Sequence, residues 1–182
     1  MFVGPPPTAK VPQPPYDDDE IRQKVKEKIQ QVIDNGYIEL RDIEAVESLM
    51  YYFHVPKGED DIRMVYDGSK SGLNKSIFAP WFNLPSSETM ARWVLVGSWL
   101  GDNDFQDCWL NHELHPSLQK YCGIDIGVLF PELKRCDAKM LVGVWIRNAM
   151  GLSSSPYNSI QSIMIAKNII IGNRKDVENP FH

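Results

Sequence analysis

Two kinds of apolar pattern follow one another along this chain, and their succession limits the folds that it can adopt. The first pattern has helical spacing, starts after the acidic segment Asp17–Glu20, and comprises Ile21, Val25, Ile29, Val32 and Ile33. The second consists of Tyr51–Val55 and Ile62–Tyr66, which are rich in β-branched and aromatic residues and flank a turn-rich segment, as in a β-hairpin. A helix followed by a hairpin predicts an α+β layer architecture.

Weaker patterns predict the remaining elements. Three further helices are expected: Asp42–Met50, a capped helix from Ser86 or Ser87 to Val96, and a final helix from Pro156 to the terminator Gly172. Three further strands are expected: a short buried strand at Trp99–Asp104, then Ile124–Phe130 and Leu141–Arg147.

The first sixteen residues differ in composition from the rest. Six of the thirteen prolines lie within the first fifteen residues. Proline fixes φ and removes a hydrogen-bond donor, so residues 1–16 are predicted to be a disordered, proline-rich arm, with a proline-rich docking segment as the alternative. Residues 17–182 then form the folded part.

Composition excludes several classes of protein. The chain has 182 residues, 43% of them hydrophobic, which is enough for a core and argues against overall disorder. The net charge of −5 does not favour nucleic acid binding, and the apolar runs are too short to span a membrane. Three cysteines without a signal peptide predict free thiols in an intracellular protein, cytoplasmic or nuclear, and not secreted.

The densest carboxylate cluster lies at residues 101–107 and allows two interpretations. In a calcium loop Asp102, Asp104 and Gln106 would take positions one, three and five, with Glu113 at position twelve. Asp107 then stands where such a loop requires glycine, so a solvated acidic turn is the favoured interpretation.

A second candidate metal site is a zinc site, but the spacing of its candidate ligands matches none of the usual zinc patterns. These ligands are Cys108, His112, His115 and Cys122. An unrelated metal-binding α+β domain stays open as an alternative.

The order of several short motifs points to one family. Val55-Pro56-Lys57, Asp61–Asp67 and Gly72-Leu73-Asn74 together resemble the fingers of retroelement and retroviral-type reverse transcriptases. Asp104–Trp109 resembles polymerase motif A, an aspartate followed five residues later by a large aromatic residue, and the tract His115–Tyr121 continues that resemblance. Trp145–Asn158 resembles motif B. The resemblance covers the chain from about Asp17 to the last residue.

This resemblance implies a fold and an activity. The fingers would comprise about residues 17–85 and an incomplete palm about residues 86–182, with a mixed or antiparallel sheet and packed helices. The parent activity would be that of an RNA-directed DNA polymerase, which copies a template by nucleotidyl transfer with two Mg²⁺ ions. The implied partners are an RNA or DNA template-primer and a deoxynucleoside triphosphate, with no membrane.

The resemblance also assigns candidate site residues. Asp104 would be the catalytic residue and Mg²⁺ ligand, and Lys57 and Arg63 would neutralise the triphosphate from the fingers side. The other residues would surround the nucleotide: Phe105, Asp107 and Cys108 beside the metal and triphosphate, Trp109 as the steric gate against a ribose 2′-hydroxyl, and Met150 and Gly151 beside nucleotide and template.

Three departures from the family pattern shape the functional expectation. Trp109 stands where relatives usually carry Tyr or Phe, and Met150 stands where many retroviral relatives carry glutamine. The Tyr-x-Asp-Asp motif does not follow before His182. We therefore expect a fragment truncated before that motif, inactive by itself, whose palm another polypeptide would complete. The alternative is a non-catalytic remnant or interaction protein with a reverse-transcriptase-like fold.

Overall fold

The computed structural model describes residues 2–84, 86–92, 94, 96–97, 99, 101, 104–133, 141–173 and 175–179. The five helices are α1 (Asp19–Asp34), α2 (Leu73–Ser76), α3 (Ser87–Ala91), α4 (Pro116–Gln119) and α5 (Ser155–Ile171). The five strands are β1 (Ile38–Asp42), β2 (Tyr51–Lys57), β3 (Asp61–Asp67), β4 (Gly123–Ile124) and β5 (Leu141–Trp145). Short 3₁₀ helices span Ile43–Ala45 and Pro131–Leu133. The mixed α+β class is confirmed.

Both sheets of the described structure are small and antiparallel. One is the hairpin β2-β3, and the other has three strands in the order β1-β5-β4. The hairpin confirms the expectation from the sequence, and its strands run slightly further, to Lys57 and from Asp61 to Asp67. The helix predicted at Asp42–Met50 is wrong, since this segment holds only the last residue of β1, the 3₁₀ turn and an irregular stretch over residues 46–50. In that stretch the N–H groups of Glu47, Leu49 and Met50 donate to the carbonyls of Lys120, Ala9 and Gly123, at 2.6, 3.1 and 2.7 Å, and local propensity does not register such distant partners.

Helix α1 forms where the periodicity placed it. The Asp18 side chain caps its start by accepting hydrogen bonds from the backbone N–H groups of Glu20 and Ile21, at 2.8 and 3.0 Å. Val25 and Ile29 are fully buried, which is the outcome expected for the apolar stripe of an amphipathic helix.

The main core joins α1 to the hairpin and to the β4-β5 edge of the larger sheet. Trp145 is its largest fully buried side chain, and its ring meets the Tyr66 ring edge to face at 4.7 Å. A second, smaller cluster packs Val46 and Leu49 against Val142 and Val144 of β5. The hairpin contributes to the main core, through residues such as Tyr52 and Ile62, and that core holds it against the sheet.

The proline-rich arm, for which the sequence predicts disorder, lies against the folded body in this structure. Val3 N–H donates to the Ser76 carbonyl at 2.8 Å, and the Ala9 carbonyl accepts from Leu49 N–H at 3.1 Å. Gln13 is buried and is bonded by both its backbone and its side chain. The backbone N–H and C=O groups between the prolines need hydrogen-bond partners, and the body supplies them at Val3 and Ala9.

Three further predicted elements require correction. The buried strand at Trp99–Asp104 is not found in the described part of that segment, since Trp99 and Asp104 are exposed and lie outside any strand; residues 100, 102 and 103 lie outside the described ranges. The predicted strand Ile124–Phe130 ends at Ile124, because the Asp125 carboxylate accepts from Gly127 N–H at 2.9 Å and turns the chain.

The third correction concerns the capped helix predicted to reach Val96. Ser86 caps its start as expected, accepting from Thr89 N–H at 3.2 Å, but α3 ends at Ala91. None of the residues of α3 is buried, so no packing supports a longer helix. Residues 93 and 95 lie outside the described ranges.

Helix α5 follows its prediction closely. It has Pro156 in its first turn and ends before Gly172, which has φ of +69°. Its buried residues are Ser155 and Ser159, while Ile165, Ile169 and Ile170 are exposed. Within the described ranges, no helix combines the length and apolarity that crossing a membrane requires.

Candidate functional site

A cleft of about 420 Å³ opens between the α1-hairpin layer and the turns at residues 106–110. It is lined by residues of α1 and of the chain that follows it, by residues of β2 and β3, and by Met150. The residues lining it are Lys28, Gln31, Val32, Asn35, Tyr37, Lys57, Ile62, Arg63, Met64, Tyr66, Gln106, Asp107, Leu110, Trp145 and Met150.

The hairpin register brings two cations to the same face. Lys57 pairs with Asp61 and Val55 pairs with Arg63, and residues directly opposite in a hairpin point to one side of the sheet. Lys57 and Arg63 are therefore diagonal neighbours at the cleft. The alternate residues of β3, which are Ile62, Met64 and Tyr66, are buried in the core.

The cations of the cleft are not equally available. The Asp61 carboxylate bonds to Lys28 Nζ at 2.9 Å and lies 3.7 Å from Lys57 Nζ. The Lys28 hydrogen bond is the main cause that lowers the pKa of Asp61, followed by the hydrogen bond from Ile62 N–H. The Arg63 guanidinium, in contrast, has no hydrogen-bond or ion-pair partner among the described residues. No residue in the described part of the chain occupies its donors, which can therefore bind an anion.

One carboxylate also lines the cleft. Asp107 Oδ2 accepts a hydrogen bond from the Tyr37 hydroxyl at 3.0 Å, and Asp107 has φ of +51°. Desolvation raises the pKa of Tyr37, and the hydrogen bond to Asp107 raises it further, so this phenol stays a neutral donor. Among the lining side chains three cations, Lys28, Lys57 and Arg63, face the single carboxylate of Asp107, which leaves a positive balance.

The cleft has an apolar side as well as a charged one. Met150 is half exposed there, while Trp145 and Tyr66 form the buried aromatic pair beneath it. The Tyr66 hydroxyl and Trp145 Nε1 find no hydrogen-bond partner among the described residues. A ligand with an anionic end and an apolar or ring-shaped end matches these two sides.

The structure brings together four of the nine candidate residues named from the sequence. Lys57, Arg63, Asp107 and Met150 line the cleft. Phe105 and Cys108 instead line a separate groove of about 480 Å³ against α5. Asp104, Trp109 and Gly151 are not among the residues lining either space.

Sequence reasoning missed three residues that the structure places in or beside the site. Lys28 and Tyr37 line the cleft because α1, and the short stretch of chain that follows it, pack beside β3. Asn74 lies behind Met150 and is bonded to Gly151 and Ser153. The Leu73-Asn74 pair was visible in the sequence as part of a motif, but its contact was not, since 77 residues separate Asn74 from Gly151.

The described residues do not assemble a metal site. No group of three or more His, Cys, Asp or Glu in the described part of the chain is placed to hold a metal ion. This applies to the zinc candidates, all four of which are described; Asp102 of the calcium interpretation lies outside the described ranges. Cys122 is buried, which raises the pKa of its thiol to about 12 and keeps it protonated. Asp104 alone does not fit a pair of Mg²⁺ ions, so we derive no step through magnesium.

Comparison with known proteins identifies the fold. No protein-family profile matches the sequence, and no curated protein matches it. A solved structure of the foamy viral protease-reverse transcriptase dRH in complex with double-stranded DNA matches with a TM-score of 0.59 and 17% sequence identity. The match covers 92% of this chain but 28% of that one. The structure therefore resembles part of a retroviral reverse transcriptase, and at this identity the likeness extends to the fold alone.

Proposed function

We propose that this chain is the fingers and incomplete palm of a reverse transcriptase, and that its cleft receives the triphosphate of a deoxynucleoside triphosphate. The observation that carries the proposal is the unpaired Arg63 guanidinium, which lies beside Lys57 on one face of the hairpin in a reverse-transcriptase-like fold. The parent activity would be RNA-templated DNA synthesis.

Arg63 is the stronger of the two phosphate contacts in this proposal. A guanidinium presents a planar fork of donors that matches two phosphate oxygens, and that of Arg63 is unpaired among the described residues. Lys57 must first leave Asp61, which it faces at 3.7 Å. Asp107 on the other side of the cleft repels a phosphate, so the triphosphate would lie toward the hairpin.

The chain by itself is proposed not to polymerise. Two-metal nucleotidyl transfer requires several carboxylates around the ions, and Asp104 is not joined by two further candidate ligands among the described residues. A polypeptide that completes the palm, together with a template-primer, would then be needed for synthesis. This part of the proposal rests on the resemblance and on the fold.

Triphosphate binding is measured first, by calorimetry with dATP at low salt. Arg63→Gln is expected to weaken binding about tenfold, because a charged hydrogen-bond donor is lost, and Lys57→Gln about threefold. The matched controls are Arg22→Gln and Lys24→Gln on α1, whose side chains pair with Asp19 and Glu20 away from the cleft. The proposed site would be overturned if the Arg63→Gln and Arg22→Gln variants bound dATP with equal affinity, or if the unaltered chain did not bind dATP.

A second candidate function rests on a different observation. The exposed isoleucines of α5, including Ile165, Ile169 and Ile170, favour a non-catalytic interaction protein with the same fold. Primer extension with Mg²⁺, dNTPs and a primer-template, with and without a co-expressed palm complement, separates the two. If primer extension occurs only when the complement is present, and is lost in the Asp104→Asn variant, the polymerase proposal is supported. A folded chain that never extends a primer supports the interaction protein, and extension by the chain alone contradicts its proposed inactivity.

A further inference from the structure

The side chain of Asn74 joins two parts of the chain that are far apart in sequence. Its Oδ1 accepts a hydrogen bond from Ser153 N–H at 2.9 Å, and its Nδ2 donates to the Gly151 carbonyl at 2.8 Å. The same Nδ2 donates to Ser69 Oγ at 3.0 Å. Both ends of the amide are therefore engaged, and the loop at 150–155 is held to the end of the hairpin.

Two glycines make this junction possible. Gly151 has φ of +102°, and a Cβ placed on it would overlap the carbonyl oxygen of Tyr66 in β3. A Cβ on Gly68 would lie 3.0 Å from Asn74 Oδ1. The loop therefore approaches the backbone of β3 more closely than a residue with a side chain permits.

The junction sets the spacing of the two sides of the cleft. Arg63 lies on β3, and Met150 immediately precedes the Gly151 that Asn74 holds. Asn74 itself does not line the cleft. Asn74 would therefore affect a bound ligand through the loop that it holds, and in this sense it is a positioning residue.

We infer that Asn74 is a positioning residue, which holds Met150 at the distance from Arg63 that the nucleoside part of a deoxynucleoside triphosphate requires. The inference rests on the proposed function, since it takes the triphosphate to lie on the hairpin. The phosphates contact the hairpin cations, whereas the nucleoside extends toward Met150. Loss of Asn74 therefore weakens binding of the nucleotide and leaves binding of the phosphate chain intact.

The test compares two ligands by calorimetry, dATP and inorganic tripolyphosphate. Asn74→Ala is expected to weaken dATP about tenfold and tripolyphosphate less than about twofold. Asn74→Asp keeps the size and the acceptor for Ser153 N–H but loses the donor to Gly151, so the same pattern is expected. Arg63→Gln should weaken both ligands. Asn173→Ala is the matched control, because it removes an amide beyond α5 whose Oδ1 accepts from Lys175 N–H at 3.0 Å, away from the cleft.

The outcomes separate this inference from the proposed function. If Asn74→Ala weakens both ligands equally, or neither, Asn74 does not position the nucleoside and the inference is overturned. If the unaltered chain binds neither ligand, the proposed function is wrong. The positioning role of Asn74 depends on that function and is then wrong as well. Hydrogen exchange of the Ser153 amide tests the junction independently: exchange about tenfold faster in Asn74→Ala supports it, and unchanged exchange contradicts it.

Discussion

The two long helices of this chain show that apolar content and burial are separate properties. Helix α1 has 16 residues and buries Val25 and Ile29 completely. Helix α5 has 17 residues and six isoleucines, yet its buried residues are Ser155 and Ser159. Both helices form where their sequences predict them. What differs is that α1 lies between the hairpin and the sheet, whereas most of α5 meets no comparable surface within the described structure.

The contrast extends to how each helix is fixed. Helix α1 is attached along its length, through its core residues and through Lys28, which bonds to Asp61 of the hairpin at 2.9 Å. Helix α5 is attached at its start, where Ser155 Oγ donates to the Ala149 carbonyl at 2.9 Å beside the loop that Asn74 holds. The cleft thus combines residues of a packed helix with Met150, which adjoins the loop that Asn74 contacts.

Truncating one isoleucine in each helix tests this difference in burial directly, and we expect it to give the strongest effect on stability. Ile29→Ala should lower the free energy of unfolding by about 2–5 kcal/mol, because Ile29 is fully buried and its loss leaves a cavity. Ile169→Ala, at a site that is 75% exposed, should change it by less than about 0.5 kcal/mol. Urea unfolding followed by circular dichroism measures both. Similar losses in the two variants would mean that α5 is covered in solution.

The proline-rich arm gives the next largest effect. Gln13 Nε2 donates to the Tyr52 carbonyl at 2.8 Å and Gln13 N–H donates to the buried Asp125 carboxylate at 3.0 Å. Gln13→Ala leaves the Tyr52 carbonyl without this partner, so we expect a loss of about 1–3 kcal/mol in the free energy of unfolding. Gln30→Ala, which removes an exposed bond to Asp34 within α1, is the control and should cost far less.

Equal stability of Gln13→Ala and the unaltered chain would favour the disordered arm that the sequence predicts. Limited proteolysis of residues 1–16 in the unaltered chain gives an independent reading. Protection of this segment supports an arm that packs against the body, and rapid cleavage contradicts it.

Local patterns account for the elements that could be predicted, and distant contacts account for those that could not. Helix α1, the hairpin and α5 each carry their signal within one continuous segment. Strand β1 depends on its pairing with β5, which lies about a hundred residues away, so the residues of β1 carry no signal of that partner. The same division holds for the site. Lys57 and Arg63 lie on one predicted hairpin, but Lys28 and Asn74 reach the site only through packing and through a contact across 77 residues.

The ion pair between Lys28 of α1 and Asp61 of the hairpin should make the weakest contribution to stability of those considered, and this contribution depends on pH. The Lys28 hydrogen bond lowers the pKa of Asp61 below its ordinary value of 3.8. A carboxyl with a lowered folded-state pKa adds stability that is complete above its unfolded-state pKa and disappears as the pH falls through the folded-state value. Asp61→Asn should therefore lower the thermal midpoint slightly at pH 7, and the difference from the unaltered chain should vanish as the pH falls through the folded-state pKa of Asp61.

Asp60→Asn is the matched control for this change, because Asp60 makes no ion pair with the described residues. It should shift the midpoint by less than Asp61→Asn at pH 7 and show no comparable convergence in acid. A difference between Asp61→Asn and the unaltered chain that stays constant from neutral pH into the acid range would mean that the pair with Lys28 does not form. Asp61→Asn also releases Lys57, so tripolyphosphate should bind this variant more tightly; unchanged affinity would show that Lys57 does not reach the ligand.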